Sequence, residues 1–178
     1  MNPWNPRYRD KLNTIDRMTR YVAVLPLVPL RVGDGFSVSA WPLHVTIVPT
    51  FESDLAATEV GERLAEAASG AQVIDAIVGG DDLFGSRANV PVALIEPSPD
   101  LTVLHRRMLA RMLAVGAIFD SPDYIGDGYR PHVSVTKRAR PGAGDRIQLA
   151  QLALVDMQPV GEKGHRRVVW TADLGRPR

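Results

Sequence analysis

Two short stretches limit what this chain can fold into more than any other feature. Leu43-His44-Val45-Thr46-Ile47-Val48 is followed, about half a chain length later, by His132-Val133-Ser134-Val135. Each sets a histidine and a hydroxyl two residues apart, among β-branched residues that favour strands. In a strand, side chains at i and i+2 share a face. Each stretch therefore shows an imidazole beside a hydroxyl on one face. Val45 and Ile47, or Val133 and Val135, turn inward on the other. One such strand means little, because a histidine on the open face of a half-buried strand is ordinary. Two matching strands mean more: the chain has four histidines, and two of them hold these equivalent places.

The segments around each motif follow a common order. Tyr21–Leu25 reads as a buried strand that Pro26 and Pro29 end or place at an edge. Val32-Gly33-Asp34-Gly35 is a turn, Phe36–Ala40 a short strand, and the first motif strand spans 43–48 with Pro49 closing it. Ser53 is the expected N-cap of a helix to about Ala68, ended by Ser69-Gly70. Strands follow at Gln72–Val78, Leu83–Arg87 and Val90–Glu96, with turns at Gly79-Gly80-Asp81-Asp82 and Ala88-Asn89. Ser98-Pro99-Asp100 starts a second helix, with a cap, a proline at the first position and an acid next. Leu101, Leu104, Met108, Leu109, Met112 and Leu113 form its apolar stripe, and Gly116 stops it. A polar loop then leads through Tyr129-Arg130-Pro131 into the second motif strand, 132–137. Strands at Ile147–Met157 and Arg167–Leu174 finish the chain. This order resembles one α+β unit used twice, each copy carrying one motif. Residues 1–19 read as an N-terminal extension, with a helix expected over Arg7–Arg20. Residues 20–178 read as a single domain of two lobes.

Composition sets bounds. A chain of 178 residues, 45% hydrophobic, can build a real core. A formal net charge of +1 rules out a broad basic surface, so any anion site must be local. There is no cysteine, which excludes disulfides, thiolate nucleophiles and cysteine metal sites. The N-terminus lacks a signal-peptide core. The longest apolar run, Tyr21 to Leu30, falls short of the about 20 residues that span a bilayer. The expectation is a cytoplasmic monomer without a membrane partner.

The paired motifs suit a particular chemistry. Cleaving a phosphodiester needs a base to activate the nucleophile and an acid to protonate the leaving oxygen, and imidazole does either near neutrality. Hydroxyls stabilise charge on the phosphoryl oxygens. Two histidines and two hydroxyls without a carboxylate cluster fit a site free of metal and cofactor better than a zinc site.

His44-Val45-Thr46 and His132-Val133-Ser134, with Pro131 before the second, resemble the two-histidine (2H) phosphoesterase superfamily of 2'-5' RNA ligase and cyclic phosphodiesterase-like enzymes. The resemblance covers roughly residues 20–174. It implies a bilobal, pseudo-duplicated α+β fold, with two antiparallel sheets lining a central cleft and helices outside. It implies His44 and His132 as the acid–base pair on a 2',3'-cyclic phosphate or 2'-5' linkage, with Thr46 and Ser134 bonded to the phosphate. RNA ends or a small nucleotide are the implied partners. The leading expectation is a metal-independent cyclic phosphodiesterase. The alternatives are a 2'-5' RNA ligase or hydrolase of 2'-5' or cyclic oligonucleotides, and a non-catalytic nucleotide- or RNA-binding module.

Other residues are candidates for substrate contact. Lys137 falls where the family often carries a basic residue. Tyr129 either stacks a base or packs on a lobe. Trp41, just before the first motif, either stacks on a nucleobase or fills the rim. Arg138 and Arg140 read as a solvated loop, and nothing local brings Arg87 to the cleft. His105, beside Arg106 and Arg107, reads as a surface residue, and His165 as part of a solvated basic turn. Asp81-Asp82 lacks companions for a metal, and Gly33-x-Gly35 lacks the context of a phosphate loop.

Overall fold

The β-branched runs on either side of the first motif become the middle of the molecule. The computed structural model describes residues 18–85, 87–136 and 139–175. In it β1 (Thr19–Pro26) pairs antiparallel with β3 (His44–Ser53) along nearly its whole length. The other strands are β2 (Gly35–Ser37), β4 (Ile74–Phe84), β5 (Val90–Ile95), β6 (Ile118–Phe119), β7 (His132–Ser134), β8 (Arg146–Leu149), β9 (Gln151–Asp156) and β10 (His165–Asp173). They follow one path, β2-β10-β9-β1-β3-β7-β5-β4-β8, with β6 paired to β3 off it. Two helices, α1 (Ala57–Ala67) and α2 (Pro99–Ala114), complete an α+β fold. No described helix is long and apolar enough to cross a membrane.

The two motif strands are neighbours at the centre of this path. The β3–β7 ladder holds a single register pair, Val45 with Val133. Both valines are fully buried in the main core with Ile47, Phe51, Leu64, Leu101, Met108 and Leu154. Each large side chain buried in this way contributes about 1.5–3 kcal/mol. A second, smaller cluster lies on the opposite face of the sheet, where Val22, Val24, Ala153, Val155 and Val168 are covered by Leu30, Phe36 and Trp41. Val24 pairs with Thr46, so this second cluster and the motif side chains share a face.

α2 begins as its sequence dictates. Ser98 Oγ accepts from the Leu101 amide at 3.3 Å, Pro99 holds the first position, and Gly116 takes a φ of 81° just past the end. α1 packs on β10 through Gly61, where a Cβ would meet the Trp170 ring at 2.5 Å.

Several boundaries differ from the sequence reading. Pro49 does not close the first motif strand; β3 continues to Ser53. Pro49 lies between the Val45 pairing to β7 and the Phe51–Glu52 pairing to β6, where the β1 register also shifts, so no ladder bond needs its missing N–H. Gly79-Gly80 is not a turn but an irregularity inside β4, between Val78 and Asp81. The turn to β5 spans Gly85 and Ala88, both with positive φ. The first helix starts later, with Ala56 at its N-cap. Ser53 Oγ accepts from the Leu55 amide instead, and Glu59 accepts from the Ala56 amide at 3.0 Å. The stretch 147–157 is two strands, broken at Ala150 where the chain leaves β4 and joins β1. The second motif strand ends at Ser134 rather than 137, and residues 38–40 form a 3₁₀ turn. Leu113 is exposed, off the buried stripe of α2. Thr19 and Arg20 are strand, so the expected N-terminal helix cannot reach Arg20; its remainder lies outside the described residues apart from Met18.

Candidate active site

With Val45 opposite Val133 and both turned into the core, the residues on either side of each valine must face the other way. The antiparallel register then sets His44 beside Ser134, and Thr46 beside His132. The two histidines stand on a diagonal of the same face, a spacing of roughly 7–8 Å between backbone positions. The four motif residues thus form one patch across one seam, related by a local two-fold through the valine pair.

Backbone carbonyls orient both rings in the same way. His44 Nδ1 donates to the Pro42 carbonyl at 2.7 Å, and His132 Nδ1 donates to the Arg130 carbonyl at 2.8 Å. A carbonyl can only accept, so each Nδ1 carries the proton and each neutral ring keeps its lone pair on Nε2. Each imidazole also leans on an aromatic ring: Trp41 lies 4.6 Å from His44, and Phe84 lies 4.4 Å from His132, centroid to centroid. Burial pushes the His44 pKa down to about 4; its bond to Pro42 opposes this, and the nearby His132 reinforces it. His132 is also held below the ordinary imidazole value, first by burial and then by the Arg130 charge, against the pull of its carbonyl bond.

Beside His132 and Thr46 a cavity of about 390 Å³ opens. Phe84, Tyr124 and Tyr129 supply its aromatic wall, and Arg20, Asp120 and Arg130 its charged groups. Arg130 bonds Asp82 at 2.7 Å and lies 4.9 Å from the centre of the Phe84 ring. That pairing keeps the Asp82 carboxyl below the usual carboxylate range.

The sequence-predicted residues divide into groups. His44, Thr46, His132 and Ser134 come together. Trp41 joins them, packed edge-on against Phe36 at 5.1 Å as well as against His44. Tyr129 both lines the cavity and packs: its hydroxyl donates to the Thr46 carbonyl at 2.9 Å. Burial raises its phenol pKa. Lys137 and Arg138 lie outside the described residues. Arg140 pairs with Asp81, Arg87 sits exposed in the β4–β5 turn, and His165 is exposed. Among the described residues no three His, Asp or Glu side chains gather as a metal site.

His105 is the clear correction, being completely buried. Its Nδ1 donates to the Ile47 carbonyl at 2.7 Å, its Nε2 accepts from the Gly126 amide at 3.0 Å, and its ring stacks on Tyr129 at 3.9 Å and 7°. It ties α2, β3 and the loop before β7 together just behind the first motif. The apolar residues one turn to either side, Leu101, Met108 and Leu109, were the available signal. The flanking Arg106 and Arg107 hid it. Phe84, Tyr124, Arg130 and the ion pair of Arg20 with Asp120 were also missed. Arg130, two residues before His132, was within reach of a local reading; nothing local in the sequence brings Phe84, Tyr124, Arg20 or Asp120 to the motifs.

The fold and this patch define a two-histidine phosphoesterase architecture. The sequence profile of the 2'-5' RNA ligase superfamily matches residues 17–158, and the chain belongs to that superfamily. Solved structures with the same fold include a phosphoesterase, 15% identical with a TM-score of 0.58 over 89% of this chain and 99% of that one. Another is Escherichia coli LigT complexed with 3'-AMP, 14% identical with a TM-score of 0.57 over 90% and 100%. A third is TT0787 of Thermus thermophilus, 17% identical with a TM-score of 0.56 over 90% and 100%. No curated protein matches the chain in sequence.

Proposed function

We propose that this protein is a phosphodiesterase that hydrolyses the 2',3'-cyclic phosphate of RNA ends or small nucleotides, with His44 and His132 as its acid–base pair. The observation that carries the reading is the shared face: two imidazoles with their Nε2 atoms unprotonated, each beside a hydroxyl, across one strand seam. A cyclic phosphate set over the seam receives hydrogen bonds from Thr46 and Ser134 on its non-bridging oxygens. One histidine takes a proton from water as the water oxygen attacks phosphorus. The ribose oxygen leaves as its P–O bond breaks and takes a proton from the other, giving a phosphomonoester. Burial depresses His44 more strongly, which favours it as the base. The phosphate anion, once bound, favours the protonated form of His132, which then serves as the acid. The bilobal reading belongs to the same proposal, with each arm of the sheet contributing one motif strand, one carbonyl-anchored histidine and one aromatic neighbour.

The test is turnover and product analysis on 2',3'-cyclic mononucleotides and 2'-5' dinucleotides, with and without EDTA. The variant carrying both His44→Ala and His132→Ala is the control. Ring opening that survives EDTA and vanishes in the control is expected, with a bell-shaped pH profile of kcat/KM whose lower limb lies near pH 4. Cleavage of 2'-5' linkages alone moves the assignment to the ligase-type reaction. Binding without turnover on any substrate moves it to a nucleotide-binding module.

A further inference from the structure

The cavity beside His132 lies on one side of the motif seam only. It reaches Thr46 and His132, but neither His44 nor Ser134 lines it. A substrate phosphate held over the seam therefore has one neighbour group directed into this cavity. From Thr46 the cavity follows β3 to Thr50, about 13 Å at about 3.3 Å per residue. That is far enough to take a ribose and a base extending from the phosphate.

The lining selects among possible occupants. Arg20 pairs with Asp120 and Arg130 with Asp82, so both cations are already met by carboxylates. A second phosphate would find little uncompensated positive charge. A neutral, flat, polar group fits better. Phe84 and Tyr124 give it a wall of two nearly parallel rings, 27° apart with centroids 6.5 Å from each other. Base-on-aromatic stacking of this kind contributes about 1–3 kcal/mol per base. At the far end stand the Arg20–Asp120 pair and the Thr50 and Ser121 side chains. β6 fixes that end: Phe119 and Ile118 pair with Phe51 and Glu52, and the Asp120 amide bonds the Thr50 carbonyl at 3.4 Å.

We propose that this cavity is a nucleobase subsite and that Arg20 and Asp120 read the base edge, favouring guanine. A carboxylate has about four lone-pair sites, so Asp120 can keep Arg20 and still accept two more donors. Guanine alone among the four bases offers two adjacent donors, N1–H and the N2 amine, next to an acceptor, O6. Asp120 takes the two donors and Arg20 serves the acceptor. Hypoxanthine keeps N1–H and O6 but lacks the amine, and adenine offers one donor in place of O6. The subsite deepens the phosphodiesterase reading and rests on it for the position of the phosphate.

Binding separates the two ideas, because it needs no turnover. Titration of the full chain with 3'-GMP, 3'-IMP, 3'-AMP, 3'-CMP and 3'-UMP is expected to rank 3'-GMP first. It should lead 3'-AMP by about tenfold, with 3'-IMP between them. In Asp120→Asn the ratio of 3'-GMP to 3'-AMP affinity should fall to about one, a ratio that any gain in phosphate affinity from the uncompensated Arg20 leaves unmoved. Equal affinities across the five nucleotides overturn the subsite, and so does a guanine preference that survives Asp120→Asn. Should Asp120→Asn fail to fold, the 3'-GMP, 3'-IMP and 3'-AMP series on the unaltered protein decides alone. Turnover of the cyclic substrates is measured in parallel. A guanine preference without turnover leaves the subsite standing and removes the phosphodiesterase reading. Base-indifferent binding with brisk turnover does the reverse.

Discussion

His44 and His132 occupy equivalent places in equivalent strands, yet they sit in different surroundings. The shared part is local: each ring bonds the carbonyl two residues before it, and each leans on one aromatic neighbour. The differing part lies outside the three-residue motif, in flanking residues and the distant partners they reach. His44 backs onto the Trp41–Phe36 pair, which covers the smaller apolar cluster, and burial lowers its pKa to about 4. His132 stands beside the Arg130–Asp82 pair and opens onto the cavity. The comparison teaches that a three-residue strand motif fixes where a side chain points and how its ring is turned. Proton affinity, and what substrate lies alongside, are fixed by segments the motif does not contain.

The sharpest way to break the equivalence is to remove each histidine singly. His44→Ala and His132→Ala are each expected to lower kcat on a 2',3'-cyclic nucleotide by about 10³-fold, with the double variant hardly worse than either. Full activity in one single variant would end the two-histidine account. The hydroxyls come next. Thr46→Val and Ser134→Ala should each lower kcat by about 10²-fold if each hydroxyl donates to a phosphoryl oxygen as proposed. A tenfold or greater inequality between them would show that the two-fold of the seam does not extend to the phosphate.

His105 has no counterpart in the second half-site, so it tests what only the first requires. His105→Phe keeps a flat ring, though a larger one, and strands the Ile47 carbonyl and the Gly126 amide. A loss of about 2–4 kcal/mol in denaturant unfolding is expected. A change below about 0.5 kcal/mol would mean that the buried network contributes little.

The smallest expected effect is a pH dependence. In the folded chain His44 resists protonation down to about pH 4, whereas an unfolded imidazole takes its proton near 6.5. Between those values the unfolded state binds more protons, so stability rises with pH and falls as the solution is acidified. The His44 share is on the order of 2 kcal/mol. His44→Gln should flatten that slope between about pH 6.5 and 4, and His132→Gln should flatten it less. Equal flattening would erase the electrostatic difference between the half-sites.

Much of this site could be read from the sequence, for physical reasons. Strand periodicity makes His44 and Thr46, or His132 and Ser134, share a face whatever else the chain does. Ser98-Pro99-Asp100 caps a helix by purely local bonding. Other features depend on partners distant in the chain. Pro49 looks like a strand end until the gap between the β7 and β6 pairings leaves it no ladder bond to make, and Gly79-Gly80 looks like a turn until β8 and β5 pair with β4 on either side of it. His105 looks solvated because its arginine neighbours are. Its burial depends on the Ile47 carbonyl and the Gly126 amide, which no local window contains. The Arg20–Asp120 pair joins residues 100 positions apart.

The order of strands also has a kinetic consequence. One arm of the sheet, β2-β10-β9-β1-β3, combines the first and last segments of the chain, and the other, β7-β5-β4-β8, is likewise drawn from both halves. The Val45–Val133 pair that closes the seam therefore waits on loop closures spanning much of the sequence. Contacts of such separation form slowly and late in folding. A nascent or partly unfolded chain can hold either motif strand by itself, but it holds no site. The motif patch exists only once this pairing is made, so any activity of the site reports that the Val45–Val133 seam is closed.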